Sequence, residues 1–131
     1  MERGLYAILK ADSDITGMVG SGDNARIYPD FVPQEAKMPH ISFNRLNNDP
    51  NDTKDGVSAL DDIDVDIDIW HNESEKLRLL AGYVRTALDR YSGTIATINF
   101  QSIRFVNDFT GHEEDNRRKR MTQQYSVRQK L

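Results

Sequence analysis

Four aspartates, Asp62, Asp64, Asp66 and Asp68, occupy every second position of one short stretch. Carboxylates are what hard cations select, so calcium binding is the first chemistry to weigh. The spacing argues against it. On a strand, residues two apart are separated by about 6.6–7 Å. Calcium needs oxygens at about 2.3–2.6 Å, usually from a curved loop with a turn glycine, and the row contains no glycine. The plainer reading is the solvated face of a strand. Arg117, Arg118, Lys119 and Arg120 carry the opposite charge. Such a run invites nucleic acid, but it is short, lacks interleaved aromatics and sits in an acidic chain. A solvated strand start competes with that reading, as does pairing with acidic groups of the same chain or of a neighbour. A basic edge facing an acidic one would fix the orientation of subunits.

The remaining chemistry-bearing residues do not assemble into a signature. His40, His71 and His112 are far apart, and nothing like His-x-x-x-His occurs. His112-Glu113-Glu114 reads as a surface loop. No Gly-x-Ser-x-Gly elbow is present. Gly17 to Gly22 lacks the Gly-Lys-Ser/Thr ending of a phosphate loop. Acidic residues are abundant but show no acid–base spacing. The expectation is a protein without catalysis, metal or cofactor. Trp70, at the end of the aspartate row, reads as a core or edge anchor or as a subunit contact, given tryptophan's weight in interfaces.

The chain has 131 residues, 37% hydrophobic and 29% charged, with a net charge of −4 and no cysteine. That length suits one domain, residues 1–131, with a single core. The acidic balance excludes a broad nucleic-acid footprint. Without cysteine there are no disulfide staples, thiolate metal sites or thiol nucleophiles, which fits synthesis in a reducing cytoplasm. No signal-peptide core or membrane-length apolar run is present.

Certain elements must position these residues. Leu5, Ile8 and Leu9 predict a helix over about residues 2–11. Asp12 to Asp14 cap a second helix bearing Ile15, Met18 and Val19, which ends at Gly20-Ser21-Gly22. Ala25–Tyr28 is extended and stops at Pro29. His40–Leu46 is a strand, and the polar Asn47–Gly56 is an exposed loop whose Asn48, Asp49, Asp52 and Lys54 are candidate partner contacts. Ala59–His71 alternates Ile63, Val65, Ile67 and Ile69 with the four aspartates, the mark of a strand with one buried face. Asn72–Tyr91 switches period, with Leu77, Leu80, Ala81, Val84, Leu88 and Tyr91 in one stripe. Asn72 and Glu75 start that helix in capping-box fashion, and Ser92-Gly93 stop it. Thr94–Phe100 is a linker or an edge strand. A strand through Ile103, Phe105 and Phe109, a polar turn at Thr110–Asn116 and a closing strand through Met121, Gln123, Tyr125 and Val127 follow. The sum is an α+β fold, a mostly antiparallel sheet packed against one long helix, with a short N-terminal helix.

The ordered series resembles the phage tail-completion family. A short helix at Leu5–Leu9, Val19-Gly20, the tetrapeptide Arg26-Ile27-Tyr28-Pro29 and the proline-led strand Pro39–Phe43 carry the resemblance. So do the aspartate strand ending in an aromatic, the helix segment LRLLAGYVRTALD, and Tyr125-Ser126-Val127. Ser21–Ala25 and Asn47–Gly56 are longer than the family's pattern. The resemblance implies a tail-terminator-like subunit of a tailed bacteriophage. It would be made in the host cytoplasm and sit at the tail–head junction of the virion. It would form a homohexameric ring capping the tail tube protein and meeting the head connector, with DNA passing through unbound. Under that implication a third reading opens for Asp62, Asp64, Asp66 and Asp68: they line the channel, where fixed negative charge repels phosphates. Trp70 and the basic run Arg117–Arg120 would be subunit or partner contacts. The competing function is a small adaptor, without ring symmetry, that binds a partner through an exposed strand edge.

Overall fold

The computed structural model describes residues 1–30, 32–33, 36–50, 60–112 and 118–130, with backbone alone at 47–50, 60 and 112. Helix α1 spans Glu2–Ala11 and α2 spans Ser13–Val19. The break between them is made by Asp12, whose Oδ1 accepts from the backbone N–H of Asp14 at 3.0 Å and of Ile15 at 3.1 Å. This satisfies two of the donors that a helix start leaves without partners. Arg26 then ties the next turn down, donating from Nε to the Pro39 carbonyl at 2.8 Å and from Nη2 to the Met18 carbonyl at 3.1 Å.

Six strands follow: β1 (Ile27–Pro29), β2 (His40–Pro50), β3 (Leu60–His71), β4 (Gly93–Ile95), β5 (Ile98–His112) and β6 (Lys119–Lys130). They form one sheet in the order β1-β2-β3-β6-β5-β4. Among the described strand pairs only β1–β2 is parallel. The α+β expectation therefore holds. Helix α3 (Ser74–Leu88) lies across β3, β6 and β5 on one face, with α1 and α2 packed beside it. The core sits between these layers. Leu77, Leu80, Ala81, Val84 and Leu88 are buried, as are Ile63, Val65, Ile67 and Ile69 opposite them. One polar tie crosses this core: Gln123 donates to the Ala81 carbonyl at 3.0 Å and accepts from the Tyr125 hydroxyl at 2.7 Å.

The element bounds need four corrections. Asn47–Pro50 belongs to β2 rather than to a loop, because β3 pairs with it as far as Pro50 opposite Asp61; residues 51–59 lie outside the described ones. The capping box does not form. The α3 cap is Glu73, whose N–H donates to His71 Nδ1 at 2.9 Å, with no side-chain bond from the cap itself. The helix also ends at Leu88, before Tyr91 and the Ser92-Gly93 stop. Arg90 takes a left-handed φ of 67°, and the chain turns onto β5, with Arg90 N–H donating to the Ile103 carbonyl at 2.7 Å. Finally, β5 runs on to His112, through the start of the polar turn expected from Thr110.

Candidate functional site

The period of β3 places Asp62, Asp64, Asp66, Asp68 and Trp70 on the sheet face opposite the helices. Neighbouring strands complete the rows. Arg128, Ser126, Gln124, Thr122 and Arg120 of β6 stand opposite Asp62, Asp64, Asp66, Asp68 and Trp70. Asn44, Ser42 and His40 of β2 flank the last three of these positions.

The four carboxylates differ in environment. Asp62 is held by Arg128, Nε to Oδ1 at 2.8 Å and Nη2 to Oδ2 at 3.4 Å, a two-pronged contact that raises the guanidinium pKa. Asp64 is exposed. Burial pushes the Asp66 carboxyl up; a Gln124 hydrogen bond opposes this and the charges of Asp68 and Asp64 reinforce it. Its Oδ1 is buried with no hydrogen-bond partner among the described residues. Asp68 accepts from the Thr122 hydroxyl at 2.5 Å. Above Asp64 and Asp66 a cleft of about 210 Å³ is walled by Leu46 and Val106. Each of these sits where the register shifts, on β2 and β5 respectively. A bulge adds one residue out of step with the alternation, which is how two large apolar side chains come to flank a carboxylate row.

The far end of this face is closed. Trp70 stacks on His40 with ring centroids 5.8 Å apart, and the Arg120 guanidinium stands 5.6 Å from the Trp70 ring. His40 also meets the Tyr28 ring edge-on. Val32, Pro33 and Met38 border a cavity of about 400 Å³ there, together with Asp68, Trp70 and Arg118. Burial lowers the His40 pKa; its backbone hydrogen bond to Lys37 opposes this, and the charges of Arg118 and Arg26 add to it. Among the described residues, no group of three or more His, Cys, Asp or Glu is arranged to hold a metal ion, and no helix is long and apolar enough to cross a membrane. The face is thus an acidic wall, open at one end and packed at the other.

The family model of tail completion protein gp17 matches residues 3–130. The chain belongs to this tail completion family. It is a structural tail protein of a bacteriophage-type virion. In fold it is similar to a chain in a solved structure described as the virion of a native gene transfer agent (GTA) particle. The TM-score is 0.79 at 17% identity, covering 100% of this chain and 95% of that one. Among the curated proteins none matches it.

Within this tail completion fold the candidate residues separate into groups. The aspartate row and Trp70 share one face with Arg120. Trp70 is half-buried against His40, so part of its surface is already used within the subunit. Arg118 is exposed, while Lys119 and Arg120 are partly buried on β6. Asn48 and Asp49 lie on β2 opposite Ile63 and Asp62. Asp52, Lys54 and Arg117 lie outside the described residues. Sequence reasoning missed Leu46 and Val106 as flanks of the acidic row. Their signal was present: each is a large apolar residue where the alternation calls for a polar one.

Proposed function

We propose that this tail completion protein forms a hexameric ring that caps the tail tube and meets the head connector, with the acidic sheet face turned to the lumen through which DNA passes. The observation that supports this reading is the division of the sheet. Among the described residues all three helices pack on one face and the aspartates line the other, with no described element covering the Asp62–Asp66 stretch. A conduit must let DNA move without gripping it. Duplex DNA carries one negative charge per ~1.7 Å of its axis, so a wall of fixed carboxylates repels it along its whole length. Cyclic symmetry repeats that wall around the axis. Trp70, Arg118, Lys119 and Arg120, beside the packed end of the face, are candidate contacts to the next ring or to a neighbouring subunit.

The test is imaging of virions whose copy of this chain carries a bound antibody fragment or a fused tag. The expected density is a closed ring of equal subunits between tail tube and head, with β3 facing the axis. Density elsewhere in the virion refutes the junction role. A ring with β3 on its outer wall refutes the lumen assignment alone.

A further inference from the structure

Each flank of the sheet is only half covered. On one side β1 pairs with Ile41–Phe43 of β2, and among the described residues no strand lies outside Asn44–Pro50. On the other side β4 pairs with Ile98–Phe100 of β5. Tyr91 extends that cover by accepting from Ile103 N–H at 3.0 Å, and Asp89 Oδ1 by accepting from Phe105 N–H at 3.0 Å. No strand among the described residues continues it. From Val106 to Thr110 every residue is exposed, so this stretch presents both faces as well as its edge. Val106 is 60% and Phe109 45% exposed. A long bare edge with large apolar side chains is what folded proteins ordinarily cover, shorten or charge.

We propose that Val106–Phe109 of one copy pairs antiparallel with Asn44–Asn47 of a second copy, so that the sheet runs on from subunit to subunit; this rests on the ring reading above. Strand direction permits it. β2, β3, β6 and β5 alternate in direction, so β2 and β5 run oppositely within one sheet. Rotation about an axis along the strands keeps them so in the neighbouring copy. Side-chain facing permits it too. Arg45 stands opposite Val65, and Asp108 opposite Gln123, both on the helix side. Asn44 stands opposite Asp66, and Phe109 opposite Thr122, both on the acidic side. Setting Arg45 beside Asp108 therefore sets Asn44 beside Phe109, with no residue turned to the wrong face. Arg45 and Asp108 are both exposed, and neither makes an ion pair among the described residues. Their opposite charges meet directly in this register. The two bare stretches lie at opposite ends of the sheet, so the copies join with a stagger along the strands. Stagger is also what closing a sheet into a barrel requires. One edge engaging a different edge is a head-to-tail contact, which closes into a ring when the rotation allows.

The natural chain contains no cysteine, so engineered pairs report cleanly. Three doubly substituted chains are incorporated into virions and oxidised: Arg45→Cys with Asp108→Cys, Arg45→Cys with Thr110→Cys, and Asn44→Cys with Phe109→Cys. Three strand spacings, about 14 Å, separate β2 from β5 within one subunit. A disulfide needs Cα atoms within about 7 Å, so only copies in edge-to-edge contact can bridge. The expected result is a ladder of covalent multimers ending at the copy number of the ring. Rings seen by imaging that yield only monomer with all three pairs overturn the edge pairing and leave the ring standing. Particles with a single copy overturn both, and a strand of another protein on the β5 edge overturns the pairing alone. A charge swap gives an independent arm. Arg45→Asp should lower incorporation about tenfold, and adding Asp108→Arg should restore it. Full incorporation of the single variant, or no restoration by the second change, counts against the pairing.

Discussion

Gly4 shows how little room single residues have in this packing. A Cβ built there would lie 2.5 Å from two carbons of the Phe100 ring, and Phe100 is itself buried. Alanine is the better helix former by about 1 kcal/mol, yet Gly4→Ala should lower the melting temperature, because α1 must lift off β5 to admit the methyl group. A melting temperature that rises would show that the ring has space to move. Asp66 supplies the opposite case, a native residue that costs stability. Burial raises its pKa in the folded chain, so folding favours the protonated carboxyl. That contribution is complete below an aspartate's ordinary 3.8 and is lost as the pH rises through the raised folded value. Asp66→Asn should therefore stabilise the isolated subunit at pH 7, with the gain vanishing in acid. Thermal melts across that range decide it, and an equal gain at every pH would dissociate the effect from ionisation. At this scale the sequence was partly legible. The alternation named the aspartates and their common face, but not their unequal surroundings. Those come from Arg128, Thr122 and Gln124 on a strand some 55–65 residues later in the chain.

Elements were more legible where one period ran uninterrupted. The α3 stripe and the β3 alternation each mark a face, and the structure buries both faces against each other. Leu80 is 0% exposed, so Leu80→Ala should cost on the order of 2–5 kcal/mol in a denaturant titration, and a loss well below 1 kcal/mol would show the wrong face was assigned. Legibility failed at the ends of elements and at turns. The β4–β5 hairpin turns through Ala96 and Thr97, both at positive φ, 51° and 65°. Neither is the Asn or Gly that usually marks such a turn, so the local sequence gave no sign of it. The start of α3 was misassigned because its extra acceptor comes from His71 on the preceding strand, not from a residue of cap type. This has a consequence with pH. Burial lowers the His71 pKa, and a neutral ring is what lets Nδ1 accept from Glu73 N–H. The stabilisation is present above a histidine's ordinary 6.5 and is lost as the pH falls through the lowered folded value. Protection of the Glu73 amide against exchange, relative to its intrinsic rate, should fall as the pH drops through the lowered His71 value, more than that of the α3 interior. His71→Gln should remove that loss of protection, and unchanged protection in acid would exclude His71 as the acceptor.

For the whole molecule, the proposed ring would set two electrostatic effects against each other. Repulsion between carboxylates of one subunit is present before and after assembly, so only repulsion between copies opposes closure. Asp62 is already offset by Arg128 within the subunit, which leaves the wall less charged than four bare aspartates per copy. Across a lumen wide enough for DNA, the remaining repulsion is screened once the Debye length falls to about 10 Å, near 0.1 M salt. The proposed Arg45–Asp108 contact is short and exposed, and it weakens steadily as salt rises. Assembly should therefore tighten between about 0.01 and 0.1 M salt, where the Debye length shrinks from roughly 30 to 10 Å, and then level off or loosen as the edge contact is screened. Asp64→Asn with Asp66→Asn should abolish the low-salt rise and leave the high-salt limb in place. Arg45→Asp should do the reverse. Sedimentation of the purified chain over this salt range reads both limbs. If assembly only weakens with salt, and the asparagine pair leaves the curve unchanged, the aspartates do not face one another across a common lumen. An edge-paired ring could still stand in that case, since its contacts lie on the strand edges and on the helix side of the sheet.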